Sequence, residues 1–246
     1  GFPEDVVQCL PGAGETIGDA LTRDMRLKAV TFTGSTQTAR LIQRTLANRE
    51  GDIIPLIAET GGMNAMIVDS SALLEQVVQD VIVSAFGSAG QRCSALRVLY
   101  VQEDILEKCQ RLLIGTMKEL VIGDPGYLTT DIGPVIDQAA LKTIQHHVEK
   151  QAAILYQCPL PETLDSGTFM PPTLIKLTKM SDLSQEIFGP VLHLIAFKQT
   201  ELDQVIEQIN ATGYGLTFGI HSRINQRVHY LKQRVHAGNC YVNRNM

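Results

Sequence analysis

Short aliphatic and β-branched runs alternate with longer stretches of helical spacing along nearly the whole chain, and no other feature restricts the fold as much. The runs at 6–10, 27–34 ("LKAVTFTG"), 55–62, 64–69 ("NAMIVD"), 96–101 ("LRVLYV"), 171–177, 190–197, 215–222 and 239–243 read as strands, the run at 27–34 as a buried one. Between them, 14–24, 36–48, 71–86, 103–123, 141–155, 200–212 and 224–238 carry apolar residues at helical intervals. Ser35 or Thr36 is expected to cap the helix at 36–48, and Ser70 or Ser71 the helix at 71–86. Strands joined through helices form right-handed parallel crossovers, so the expected class is α/β. Two units are expected, 1–61 and 62–246.

The bulk numbers exclude other classes. The chain has 246 residues, 44% of them hydrophobic, enough for a sizeable core. A net charge of -5 without basic clusters argues against nucleic-acid binding. No apolar run reaches the roughly 18 residues a bilayer crossing needs, and the first residues lack a basic n-region of a signal peptide. The five cysteines, Cys9, Cys93, Cys109, Cys158 and Cys240, are odd in number and widely spaced. That pattern implies neither a disulfide framework nor a zinc site, and it suits a reducing, cytoplasmic compartment.

Several short stretches carry residues suited to chemistry. "GSAGQRCSAL" (87–96) sets Cys93 among small residues, between Arg92 and Ser94. A thiol there is either a core filler or a nucleophile, and its neighbouring backbone N–H groups can hold an oxyanion. Glu59 ends a strand beside paired glycines, where a carboxylate faces a cleft or merely solvent. "FTGST" places Phe32, Gly34 and Ser35 between a strand and a helix, the edge at which open α/β sheets bind ligands; an ordinary helix cap has the same look. "PGAGETIG" (11–18) misses the dinucleotide spacing, because its third glycine comes one residue late. "QEIFGP" (185–190) offers Glu186 to a ribose hydroxyl and Phe188 to a flat ring, or is only a turn. His146 and His147 read as part of a solvated helix face.

In order, "FTGST", "ETGG", "GQRCSA" and "EIFGPV" resemble the motif series of the aldehyde dehydrogenase superfamily, and 34 positions separate Glu59 from Cys93, as in that family. The longer runs "LIAETGGMNAMIVDSSAL", "INATGYGLTFGIHSRI" and "GNCYVNRNM" are similar to the L-glutamate γ-semialdehyde dehydrogenase branch, in particular to the dehydrogenase modules of bifunctional proline-catabolic proteins. The resemblance implies a Rossmann-type NAD-binding part at 1–61 and a catalytic α/β part at 62–246. It implies NAD as cofactor and no metal. It makes Cys93 the nucleophile and oxyanion donor, Glu59 the general base, and Phe32, Gly34, Ser35, Glu186 and Phe188 the cofactor contacts. Arg92 and Ser94 are expected to meet a substrate carboxylate. A proline dehydrogenase module in the same polypeptide is an expected partner, and an unpaired sheet edge favours homo-oligomers. By the same resemblance, an oxyanion asparagine and a ribose-binding lysine belong before Gly1, and a substrate-anchoring loop after Met246. The chain by itself is therefore expected to show little or no dehydrogenase activity. Alternatives on the same residues are a non-catalytic module, a dehydrogenase for another aldehyde, or a thiol acyltransferase that uses Cys93 without NAD.

Overall fold

The computed structural model describes residues 1–162, 164 and 166–246, which divide into two compact units, Gly1–Gly61 and Gly62–Met246. The fold is α/β, with a two-stranded parallel sheet in the first unit and a mostly parallel sheet in the second. In the first unit a turn of wide helix, Gly14–Gly18, runs into α1 (Asp19–Arg23). Strand β1 (Val30–Gly34) pairs in parallel with β2 (Leu56–Thr60) through α2 (Thr36–Ala47). Ser35 caps α2: its Oγ accepts from the Thr38 N–H at 3.1 Å, as the extended backbone before a helix allows.

The second unit holds a seven-stranded sheet. Its strands are β3 (Ala65–Val68), β4 (Val98–Gln102), β5 (Ile154–Gln157), β6 (Thr173–Lys176), β7 (Val191–Phe197), β8 (Thr217–His221) and β9 (Asn239–Val242). Their spatial order is β5-β6-β7-β4-β3-β8-β9, and every pair but β5–β6 is parallel. Helices α3 (Leu74–Phe86), α4 (Glu103–Met117), α5 (Gln138–Glu149), α6 (Leu202–Ala211) and α7 (Asn225–Arg234) connect them. Strands β3, β4 and β8 are buried at every residue, which is why they read as unbroken apolar runs rather than alternating ones. Strands β5 and β9 lie at the edges and keep exposed residues. Helices α3 and α4 pack on each other and on β7. Among the described residues no helix is long and apolar enough to cross a membrane.

Five local expectations fail, two where a strand lacks partners among the described residues and three where another contact outweighs the pattern. Residues 6–10 form the end of a turn and irregular chain rather than a strand, exposed throughout, and no described strand pairs with them. Strand β1 is half-buried or exposed, because β2 is its one pairing partner among the described residues. Ser70 and Ser71 do not cap α3. The Asp69 carboxylate takes the Ser71 N–H at 2.8 Å in an Asx-type turn, and the helix starts only after Leu73. Helix α4 stops at Met117 instead of 123, since Ile122 bridges to Ile132. Helix α5 stops at Glu149, and 154–157 turns back as the antiparallel strand β5.

One buried polar pair makes the fold sensitive to pH. His193, within β7, is fully buried. Its Nδ1 lies 3.0 Å from the Arg97 carbonyl, which can only accept, so Nδ1 carries the proton. Its Nε2 then accepts from His147 Nε2 at 2.9 Å. Burial pulls the His193 pKa from 6.5 down to about 4, and pulls His147 down as well. Between those two values the unfolded chain binds more protons than the folded one. The contribution is fully present above pH 6.5 and is lost as the pH falls toward 4. Chemical denaturation should show wild-type stability falling by about 3 kcal/mol more than that of His193→Gln between neutral pH and about pH 4.

Candidate active site

The turn before β4 is built against backbone preference. After α3 the chain enters three consecutive residues of positive φ, Ser88 at 56°, Ala89 at 51° and Gly90 at 67°. Ser88 and Ala89 each cost about 1–2 kcal/mol there. Local bonds hold the turn: the Gln91 N–H donates to the Ser88 carbonyl at 3.0 Å, and the Gln91 side chain accepts from the Ile136 N–H at 2.9 Å. Gly90 is required twice over. Its φ is positive, and a Cβ on it would lie 2.1 Å from the Gly189 carbonyl oxygen.

That turn delivers Cys93 to the surface. Its thiol is exposed, and its N–H donates no hydrogen bond among the described residues. Its carbonyl accepts from Asn64 Nδ2 at 2.7 Å. The same Nδ2 donates to the Ala95 carbonyl at 2.9 Å, and Asn64 Oδ1 accepts from the Thr217 N–H at 3.2 Å. Cys109 and Cys158 differ from Cys93 in kind: both are buried, and burial pushes their thiols up to about 12 and about 11.

Behind Cys93 lies Arg97, fully buried just before β4. All five of its N–H donors are engaged. Nη1 donates to the carbonyls of Gly90 at 2.5 Å and Gly189 at 3.4 Å. Nη2 donates to the Arg92 carbonyl at 3.1 Å and to Glu186 Oε1 at 3.0 Å, and Nε to the same carboxylate oxygen at 3.3 Å. Burial lowers the guanidinium pKa and Glu186 partly restores it, yet arginine stays charged. Glu186 Oε2 accepts no hydrogen bond among the described residues, so one oxygen of that carboxylate is available to a hydroxyl. The Phe188 ring sits 5.1 Å from the Arg97 guanidinium carbon and is 42% exposed, leaving one face open. Thus the structure gathers Cys93, Glu186 and Phe188 around one buried cation.

Arg92 and Ser94 flank the thiol. Arg92 Nη2 turns back onto the Val83 carbonyl at the end of α3, at 2.9 Å, and its Nε is buried without a partner among the described residues. Ser94 uses its carbonyl to accept from Thr217 Oγ1 at 3.3 Å. In the other unit, Phe32 folds its ring over Gly34, where a Cβ would lie 2.5 Å from the ring. Ser35 caps α2, whose first-turn N–H groups lack helical acceptors and suit an anion. Glu59 is exposed near the end of β2, paired across to Thr33.

Asn64 and Arg97 were not among the residues singled out from sequence. The signal for Arg97 was present, a charge beside the apolar run "VLYV", since a buried charge must be paired. His147, expected on a solvated face, instead meets His193, and only His146 stays exposed.

The aldehyde dehydrogenase family matches residues 1–246. The chain is 53% identical over 257 residues to the bifunctional protein PutA of Klebsiella aerogenes, covering 100% of this chain but 20% of that protein. A crystal structure of bifunctional proline utilization A superposes with a TM-score of 0.96 at 46% identity, over 100% of this chain and 25% of that one. A 1-pyrroline-5-carboxylate dehydrogenase from Thermus with bound NAD superposes with a TM-score of 0.91 at 30% identity, over 100% and 48% of the two chains. The chain thus spans about a fifth of its curated bifunctional relative.

The Gly90 contact yields a direct check. Gly90→Ala should lower unfolding free energy by about 2–4 kcal/mol, because the obstructing atom is backbone and cannot rotate away. A denaturation midpoint measured for Gly115→Ala, at a helical glycine with open space around it, serves as the control and should not fall.

Proposed function

This chain belongs to the aldehyde dehydrogenase family, and on that premise we propose that it carries the thiol chemistry of an NAD-dependent L-glutamate γ-semialdehyde dehydrogenase acting in proline catabolism. The observation that carries the reading is the exposed Cys93 thiol, standing on a rigid turn with an unengaged backbone N–H beside it. The similarity to bifunctional proline utilization proteins and to 1-pyrroline-5-carboxylate dehydrogenases supports the substrate. It also supports a longer polypeptide with further modules; a proline dehydrogenase module beside this chain and a cytoplasmic location complete the proposal.

The residues fit NAD. Each unit carries suitable groups by itself: in the first, Gly34 and Ser35 lead into α2, whose first turn offers N–H groups to a phosphate, and in the second, Glu186 keeps one oxygen for a ribose hydroxyl. Phe188 offers one ring face. Bound NAD supplies the hydride acceptor that takes the substrate from the aldehyde to the acid oxidation level.

In this reading the Cys93 thiolate attacks the aldehyde carbon and forms a thiohemiacetal. Its N–H meets the oxygen that gains charge. After oxidation the acyl group is held as a thioester on Cys93. Glu59 takes a proton from the water that attacks that thioester, releasing the carboxylate and returning the thiol. Arg92 and Ser94 meet the carboxylate at the far end of the substrate.

The test uses the full-length polypeptide with the γ-semialdehyde and NAD. Cys93→Ser should lower kcat by roughly 10³-fold or more. Glu59→Gln should lower the steady rate by about 10²–10⁴-fold while leaving a burst of one NADH per site. Sustained turnover in Cys93→Ser would sink the reading, and acyl transfer that proceeds without NAD would favour an acyltransferase. Arg92→Ala should raise KM for the semialdehyde by about tenfold and leave an uncharged aldehyde unaffected; an equal rise for both removes Arg92 from the substrate site.

A further inference from the structure

Arg97 touches neither solvent nor, by its burial, any substrate. It nonetheless contacts both halves of the proposed site. Through the Gly90 and Arg92 carbonyls it grips the turn that presents Cys93. Through Glu186 Oε1, the Gly189 carbonyl and the Phe188 ring it grips the turn proposed to hold the cofactor. Each terminal nitrogen bonds both turns, Nη1 through the Gly90 and Gly189 carbonyls and Nη2 through the Arg92 carbonyl and Glu186, so moving either turn strains the other. We propose that Arg97 is a positioning residue that fixes the nucleophile turn and the Glu186 turn as a single rigid element. The assignment rests on the reading of Cys93 as nucleophile and Glu186 as cofactor contact.

Three observations support it beyond the contacts themselves. The nucleophile turn passes through three positive-φ residues, so it needs outside restraint, and Arg97 bonds the backbone on both sides of Gln91. The Gly90 backbone lies directly against the Gly189 carbonyl, so the two turns touch where the guanidinium spans them. Glu186 gives the same oxygen to two Arg97 nitrogens, which fixes the direction in which Oε2 faces. A lysine cannot reproduce this, since an ammonium is a point charge with three donors and no planar fork.

Arg97→Lys and Glu186→Ala in the full-length protein separate positioning from mere support. Alkylation of Cys93 by iodoacetamide, followed without cofactor by peptide mass, reads the nucleophile turn independently of turnover. Glu186→Ala removes no atom that touches Cys93, yet should change the alkylation rate at least about fivefold by releasing Arg97. Arg97→Lys should change it similarly, raise KM for NAD about tenfold and lower kcat about 10–100-fold, with KM for the aldehyde within about threefold. A purely structural role would lower the active fraction and melting temperature but leave the folded molecules with wild-type KM and alkylation rate. That result overturns the proposal, as does an unchanged alkylation rate in folded Glu186→Ala, the informative variant should Arg97→Lys not fold. If the wild type reduces no NAD with any aldehyde, the functional reading fails, and the alkylation comparison still decides whether Arg97 links the two turns.

Discussion

One side-chain amide organises the amino-terminal edge of the large sheet. Asn64 stands immediately before the central strand β3 and is buried. Its Nδ2 binds the carbonyls of Cys93 and Ala95, its Oδ1 takes the N–H of Thr217 at the start of β8, and its own carbonyl accepts from Arg97 and Val98 at the start of β4. Three neighbouring strands are therefore registered by one residue whose side-chain amide is fully bonded. A buried amide left half-bonded would be destabilising, so the satisfied set also narrows where the Cys93 turn can lie.

The consequence is an unusual address for an exposed thiol. In open α/β sheets ligands ordinarily collect beyond the carboxyl ends of the strands. Here Cys93 precedes β4, and the Glu186–Gly189 turn precedes β7, so both lie at amino ends. The carboxyl ends are closed instead by a polar latch. Asp69, following β3, accepts from Ser71 and from Ser222 at 2.5 Å, and Ser222 follows β8. Asn243, with a φ of 50°, ties the end of β9 to the same serine.

The strand runs of the sheet interior were legible because burial on both faces removes every reason for a polar residue. Helix ends were less so, since their termination depends on distant pairing: Ile122 with Ile132, or 154–157 with β6. Within the site, Cys93 and Glu186 could be named because motif order fixes them, while the restraints on them could not. Arg97 lies 89 positions from Glu186 and 92 from Gly189, and no local pattern connects an arginine to a turn that far along the chain. The histidines show the same limit. His193 sits in the apolar run "VLHLIAF", and its partner His147 was assigned to solvent for want of any neighbour in sequence.

Two routes hold the site rigid, and they join. His193 donates its Nδ1 proton to the carbonyl of Arg97, whose side chain grips both turns. The backbone of the buried arginine is thus fixed from β7 while its guanidinium fixes the turns ahead of β4 and β7. Neither turn can shift without breaking bonds in the core, which suits the proposed chemistry, in which a thiol must align with an aldehyde carbon. The left-handed turn is the counterpart of that rigidity. Its backbone cost of about 1–2 kcal/mol at each of two residues is tolerated because Arg97, Gln91 and the Gly90–Gly189 contact leave the chain no lower path from α3 to β4.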